Sequence, residues 1–166
     1  MSELKIISII LLFVITFQDF RFRAVSWYIF PALLGLYIAD NYLSNGLTTG
    51  TVFFFTNLLI ILIQLAGVFL YFILKNWGKR AQITNYLGLG DVLFFIVLAA
   101  AFSPFGFILF IVIALLSAIL WYALRMVMKK DKEITIPLAG IMSGLLIMVI
   151  VAETFNKSFN LNSIVY

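Results

Sequence analysis

Apolar runs recur along almost the whole chain, separated only by short polar or charged stretches. They read as six segments, at 4–18, 27–43, 51–74, 83–102, 105–128 and 134–151. A helix needs roughly 20 apolar residues to cross a bilayer, with a range of about 17–25. In hydrocarbon such a segment must satisfy its own backbone, which makes it a helix. The expected fold is therefore all-α, a polytopic membrane protein of six transmembrane helices. Composition agrees: 64% of the 166 residues are hydrophobic and 11% are charged. Soluble domains hold about 45–50% and about 25%. A chain this short cannot enclose so much apolar surface in one core, whereas a lipid solvent lets the outer faces be apolar too. The expected organisation is one membrane domain, 1–152, followed by a short polar external tail, 153–166.

The breaks between runs carry turn chemistry or charge. Asp40-Asn41 and Ser44-Asn45-Gly46 close the second run, and Ser103-Pro104 divides a stretch too long for one crossing. Lys129-Lys130-Asp131-Lys132-Glu133 separates the last two. With six crossings, three basic groups fall on one side: Arg21 and Arg23; Lys75, Lys79 and Arg80; and Arg125, Lys129, Lys130 and Lys132. Only Lys5 and Lys157 fall on the other. Positive charge marks the cytoplasmic side, so both termini are expected outside. The first run lacks a small-residue cleavage site and is followed by Arg21 and Arg23, so it is expected to be retained. The net charge of +4 follows from these loops and does not point to nucleic acid.

There is no Cys and no His. That removes thiol nucleophiles, disulfides, cysteine zinc sites and imidazole bases together. No metal or cofactor is expected. Carboxylates within spans are costly and are functional candidates. Two qualify: Asp19, at the end of the first run, and Asp91, after Gly88-Leu89-Gly90. Singly, each has a plainer reading. Asp91 could cap a helix starting at Val92, and Asp19 could be a juxtamembrane charge offset by Arg21 and Arg23. If the fourth span starts near Ile83, Asp91 lies about 12 Å along it, at roughly 1.5 Å per residue. Two crossings separate the pair, so both face the cytoplasmic end at similar depth. Adjacent carboxylates share a proton. The ionised one can then take a proton from an attacking water while the protonated one polarises an amide carbonyl.

Gly88-Leu89-Gly90-Asp91 resembles the GxGD signature of intramembrane aspartyl proteases, a group that includes the presenilins and the type IV prepilin peptidases. Asp19-Phe20-Arg21-Phe22-Arg23 is similar to the early aspartate and basic residues of the prepilin peptidases. Ile136-Pro137-Leu138-Ala139-Gly140 is similar to the segment that opens their last helix. The resemblance covers nearly the whole chain. It implies a GxGD protease fold in the cytoplasmic (inner) membrane, with Asp19 and Asp91 as catalytic dyad and Gly88, Gly90, Pro137 and Gly140 in support. The implied substrate is a prepilin-like precursor with a basic leader before an apolar helix, cleaved at the cytoplasmic face. Two positions depart from the family pattern: Val25-Ser26-Trp27 replaces Ile-Pro-Asn, and Leu93 replaces a lysine. The large four-cysteine loop of bifunctional members is missing, so N-methylation is not implied.

Asp131 and Glu133 could attract a basic leader, or could simply neutralise neighbouring lysines. Asn85 and Tyr86 flank the glycine motif. Trp27 and Trp77 suit an aromatic belt, and Trp121 also falls near a span end. Asp40 and Glu153 read as interface residues on the external side. Gly140 and Gly144 have a helix-packing spacing. Two other functions stay open: an inactive homologue acting as a membrane assembly scaffold, and a small cation or proton transporter subunit.

Overall fold

The computed structural model describes residues 3–75, 88–128 and 137–155. Their regular structure is entirely helical, in six helices. These are α1 (Glu3–Phe22), α2 (29–45), α3 (47–75), α4 (Leu89–Ala101), α5 (Pro104–Met128) and α6 (Leu138–Phe155). Two stretches, Gly46–Tyr71, which takes in most of α3, and Pro104–Val127 within α5, are long and apolar enough to cross a membrane. Both turn large apolar side chains outward, among them Val52, Phe55, Leu59, Leu109, Leu116 and Leu120.

The breaks are narrower than the sequence suggests. Asp40-Asn41 does not end a helix, because both residues continue α2. Gly46 alone interrupts the ladder, at φ 77° and ψ 167°. That region of backbone space is open essentially to glycine only. Ser103-Pro104 does break the chain as expected. Pro104 opens α5, where its missing N–H costs nothing, and the Ser103 carbonyl accepts from Phe107 N at 2.8 Å. The fourth helix begins at Leu89, not near Ile83: Gly88 is extended and forms its N-cap. Asp91 therefore stands in the first turn instead of two turns inside. The last helix runs on to Phe155, so Glu153 belongs to it and not to the tail. An ion pair of 3.0 Å between Lys5 and Glu153 ties this end of α6 to the start of α1.

The core gathers Leu12 and Ile15 of α1, Phe30 and Leu33 of α2, Phe94 and Leu98 of α4, Phe107 of α5 and Met142 and Leu146 of α6. A hydrogen bond of 2.8 Å between Thr16 and Ser143 hydroxyls pins α1 to α6. The short α4 poses a separate problem. Thirteen residues make about 20 Å of helix, and its C-terminal residues are buried. Its last carbonyls have no partner within the helix and no access to water. Side-chain amides supply the donors. Asn57 Nδ2 donates to Ala99 O at 3.0 Å and Phe102 O at 2.7 Å, and Asn41 Nδ2 donates to Ala100 O at 3.2 Å. This explains a fully buried asparagine in a mostly apolar helix.

Asn57→Leu should strand two buried carbonyls and cost about 2–4 kcal/mol, at one to two kcal/mol for each unsatisfied group. Thr56→Val, at the exposed neighbouring position, should change stability by less than about 0.5 kcal/mol. Denaturant unfolding of the two purified variants in one detergent would separate them.

Candidate active site

The site forms at the first turn of α6. Pro137 is its N-cap, and the Pro137 carbonyl accepts from Ile141 N at 3.0 Å. An N-cap usually carries a side-chain oxygen that satisfies the amides of the second and third helical residues. Proline has none to offer. Here those amides belong to Ala139 and Gly140, and both are capped by carboxylates from other helices. Ala139 N donates to Asp91 Oδ1 at 3.1 Å. Gly140 N donates to Asp19 Oδ2 at 2.6 Å. Consecutive amide nitrogens in a helix lie about 3 Å apart, so the two accepting oxygens are held within about 9 Å. The carboxylates are within electrostatic range of one another.

Each aspartate reaches this point for a local reason. Asp19 lies in the last turn of α1 on its buried face, with only 9% of its surface exposed. The helix closes just beyond it, where Arg23 N donates to Asp19 O at 3.2 Å and Arg23 takes a positive φ of 55°. Arg23 stays within electrostatic range of the Asp19 carboxylate. Arg21 instead lies over the rings of Phe17 and Phe22, at 5.7 and 5.5 Å. Asp91 occupies the third position of α4. From there its carboxylate also accepts a backbone hydrogen bond from Gly88, as acidic residues at this position often do. Asp91 thus bridges the starts of α4 and α6.

The glycines have different weights. A Cβ on Gly140 would meet the Phe20 ring at 2.8 and 2.9 Å and Asp19 Oδ2 at 3.1 Å. Only a bare Cα lets α1 approach α6 here. A Cβ on Gly88 would come within 3.2 Å of Asp91 Oδ2. Gly90 has ordinary space, with the Phe30 ring 3.9 Å away, and Gly144 has nothing within 4 Å. Of the packing pair Gly140 and Gly144, only the first is in close contact.

The structure thus brings Asp19, Asp91, Gly88, Pro137 and Gly140 to one place, with Gly90 alongside. Asp131 and Glu133 lie outside the described residues, as do Trp77, Asn85 and Tyr86. Val25 and Leu93, the two departures from the family pattern, are partly buried against the core. Sequence reasoning missed the α6 amides, which no side chain announces; a proline where a cap residue belongs is the one trace of them. It also missed Phe20, which packs edge-on against Trp121 at 5.3 Å. Trp121 is in turn covered by the Arg125 guanidinium at 5.4 Å. No protein-family model, no curated protein and no solved structure matches the chain.

Gly140→Ala should lower stability by about 1–3 kcal/mol through overpacking. Phe20→Ala should relieve part of that loss, giving a coupling of about 0.5–3 kcal/mol in a double-mutant cycle. Gly90→Ala should be neutral or stabilising by up to about 1 kcal/mol, since it removes a helical glycine. Equal losses at Gly140 and Gly90 would contradict this account.

Proposed function

We propose that the chain is a six-span membrane aspartyl endopeptidase, with Asp19 and Asp91 as its dyad. One observation carries this reading. Two carboxylates from distant parts of the sequence converge on consecutive amides of a third helix, at one end of the bundle. That end carries Arg21 and Arg125 in the last turns of α1 and α5, with Arg23 just beyond α1, and in this reading it is the cytoplasmic end by the charge rule. In this reading all six helices cross or line the membrane, and the protein resides in the cytoplasmic (inner) membrane with both termini outside.

The chemistry follows from two carboxylates holding one proton between them. The ionised carboxylate takes a proton from water as the water oxygen attacks the scissile carbonyl carbon. The protonated carboxylate donates to the carbonyl oxygen as charge develops there. When the tetrahedral intermediate collapses, the C–N bond breaks and a proton passes to the leaving amine. The α6 amides hold both acids in place and direct the positive end of the helix dipole at them. This offsets part of their repulsion. Phe20 and Trp121 give the neighbourhood an apolar wall suited to an apolar substrate segment. The family resemblance supplies the substrate class: a prepilin-like precursor, cut between its basic leader and its apolar helix.

A second reading has one observation in its favour. Asp91 and Asp19 already serve as helix caps, so a protein without activity would also keep them. Such a chain would act as a membrane assembly scaffold.

The two readings part on one substitution. Asparagine keeps an acceptor oxygen for the α6 amide but cannot exchange a proton. Asp19→Asn and Asp91→Asn should therefore fold normally and process a co-expressed prepilin-like precursor at least about 10³-fold more slowly, each loss corresponding to about 4 kcal/mol of barrier. Alanine at either position should also cost about 1 kcal/mol or more of stability through the lost cap. Leader cleavage that survives in both asparagine variants would sink the peptidase reading.

A further inference from the structure

A second polar cluster lies at the opposite end of the bundle. Lys5 stands about 21 Å along α1 from Asp19, and Glu153 about 20 Å along α6 from Gly140, at about 1.5 Å per residue. Between them is a cavity of about 160 Å³ whose polar lining is Lys5, Ser8, Tyr37, Asp40, Ser44 and Glu153. It is roomy enough for an ion with some of its water. Its lining comes from α1, α2 and α6, with Ala101 and Phe102 closing one side.

Two groups in this cavity are poorly satisfied. The Tyr37 side chain is 9% exposed, and its hydroxyl lies beside Ser8 without a hydrogen bond of good geometry. A buried hydroxyl without a well-formed bond is costly, and Tyr37 is among the residues that line this polar cavity. Asp40 makes no hydrogen bond or ion pair among the described residues, although Lys5 and Glu153 are both within electrostatic range of it. Lys5 is already committed to Glu153 at 3.0 Å. One lysine against two carboxylates leaves one net negative charge, and Asp40 carries it.

We propose that the cavity binds one monovalent metal cation of the sodium class. The Asp40 carboxylate supplies the charge, and the Tyr37 hydroxyl oxygen supplies a neutral ligand. Ser8 donates its proton to Leu4 O at 2.8 Å, which leaves lone pairs of its own for the ion. Ser44 and water complete the shell. All of these donors are oxygens, which suits a hard cation. The net charge argues for one positive charge instead of two, because calcium and magnesium sites gather more carboxylates and no ammonium. Among the described residues no cluster of three or more His, Cys, Asp or Glu occurs. The ion would stitch α1, α2 and α6 together at the end remote from the dyad. This inference does not rest on the peptidase reading.

The test is thermal unfolding of the full chain in detergent, in sodium, ethanolammonium or choline chloride at one ionic strength, alongside equilibrium binding of radiolabelled sodium. Sodium should raise the unfolding midpoint by a few degrees over choline, saturably, with about one ion bound per chain. Asp40→Asn should abolish both effects. Tyr37→Phe should be at least as stable as the parent in choline, because it removes the stranded hydroxyl, yet need roughly tenfold more sodium for the same shift, the equivalent of losing one ligand. Asp19→Asn should keep the full sodium response. The proposal is overturned if sodium and choline give the same midpoint, since the cavity then holds water only. It is equally overturned if Asp40→Asn responds like the parent, if Asp19→Asn alone loses the response, or if ethanolammonium matches sodium, which would mark an amine site.

Discussion

The bonds from Ala139 and Gly140 to Asp91 and Asp19 are the junction on which the bundle depends. They join α1, α4 and α6 at a single turn. They also solve a problem that the chain sets for itself. A helix that starts at a buried proline has amides with no cap, and a buried unpaired amide is expensive. Using acids from two other helices as the cap makes local satisfaction and tertiary assembly the same event. The glycine at 140 belongs to that event, since any larger residue would push α1 away from the bond it must make.

The same physics recurs at the end of α4. Its carbonyls are buried, and Asn41 and Asn57 are their donors. Both junctions put polar side chains where hydropathy alone would put leucine. In the membrane reading proposed above, such bonds would be required of short helices, because backbone left open in hydrocarbon has no water to turn to. In the peptidase reading proposed above, capping acids would also come positioned: the carboxylates are aligned by backbone that the fold already requires, so little further ordering would be needed for a substrate. Stability and the proposed chemistry would then share residues.

Much of the fold was legible. Apolar runs of helix length announced an all-helical chain, and Ser103-Pro104 marked a true boundary. Gly88, Asp91 and Pro137 were each recognisable as special positions from their neighbours. Other features were not. Asp40-Asn41 resembles a turn but lies inside α2, because helix and turn share these residues and the choice depends on what Asn41 can reach. The start of α4 was misplaced because the length needed for a crossing pushed it back to Ile83, and neither length nor hydropathy sees an extended Gly88. Glu153 looked like the beginning of a tail until Lys5 was found beside it.

What the sequence by itself determined is the strongly apolar character of the chain, its helical content and the identity of two isolated acids. These are local properties, set by side-chain polarity and by spacing along one strand of backbone. The tertiary structure decided whether the acids meet. That outcome depends on the packing of α1, α4 and α6, on the close approach at Gly140, and on two backbone amides that carry no mark in the sequence. Hydrogen bonds between segments so far apart become visible only once the chain has closed on itself.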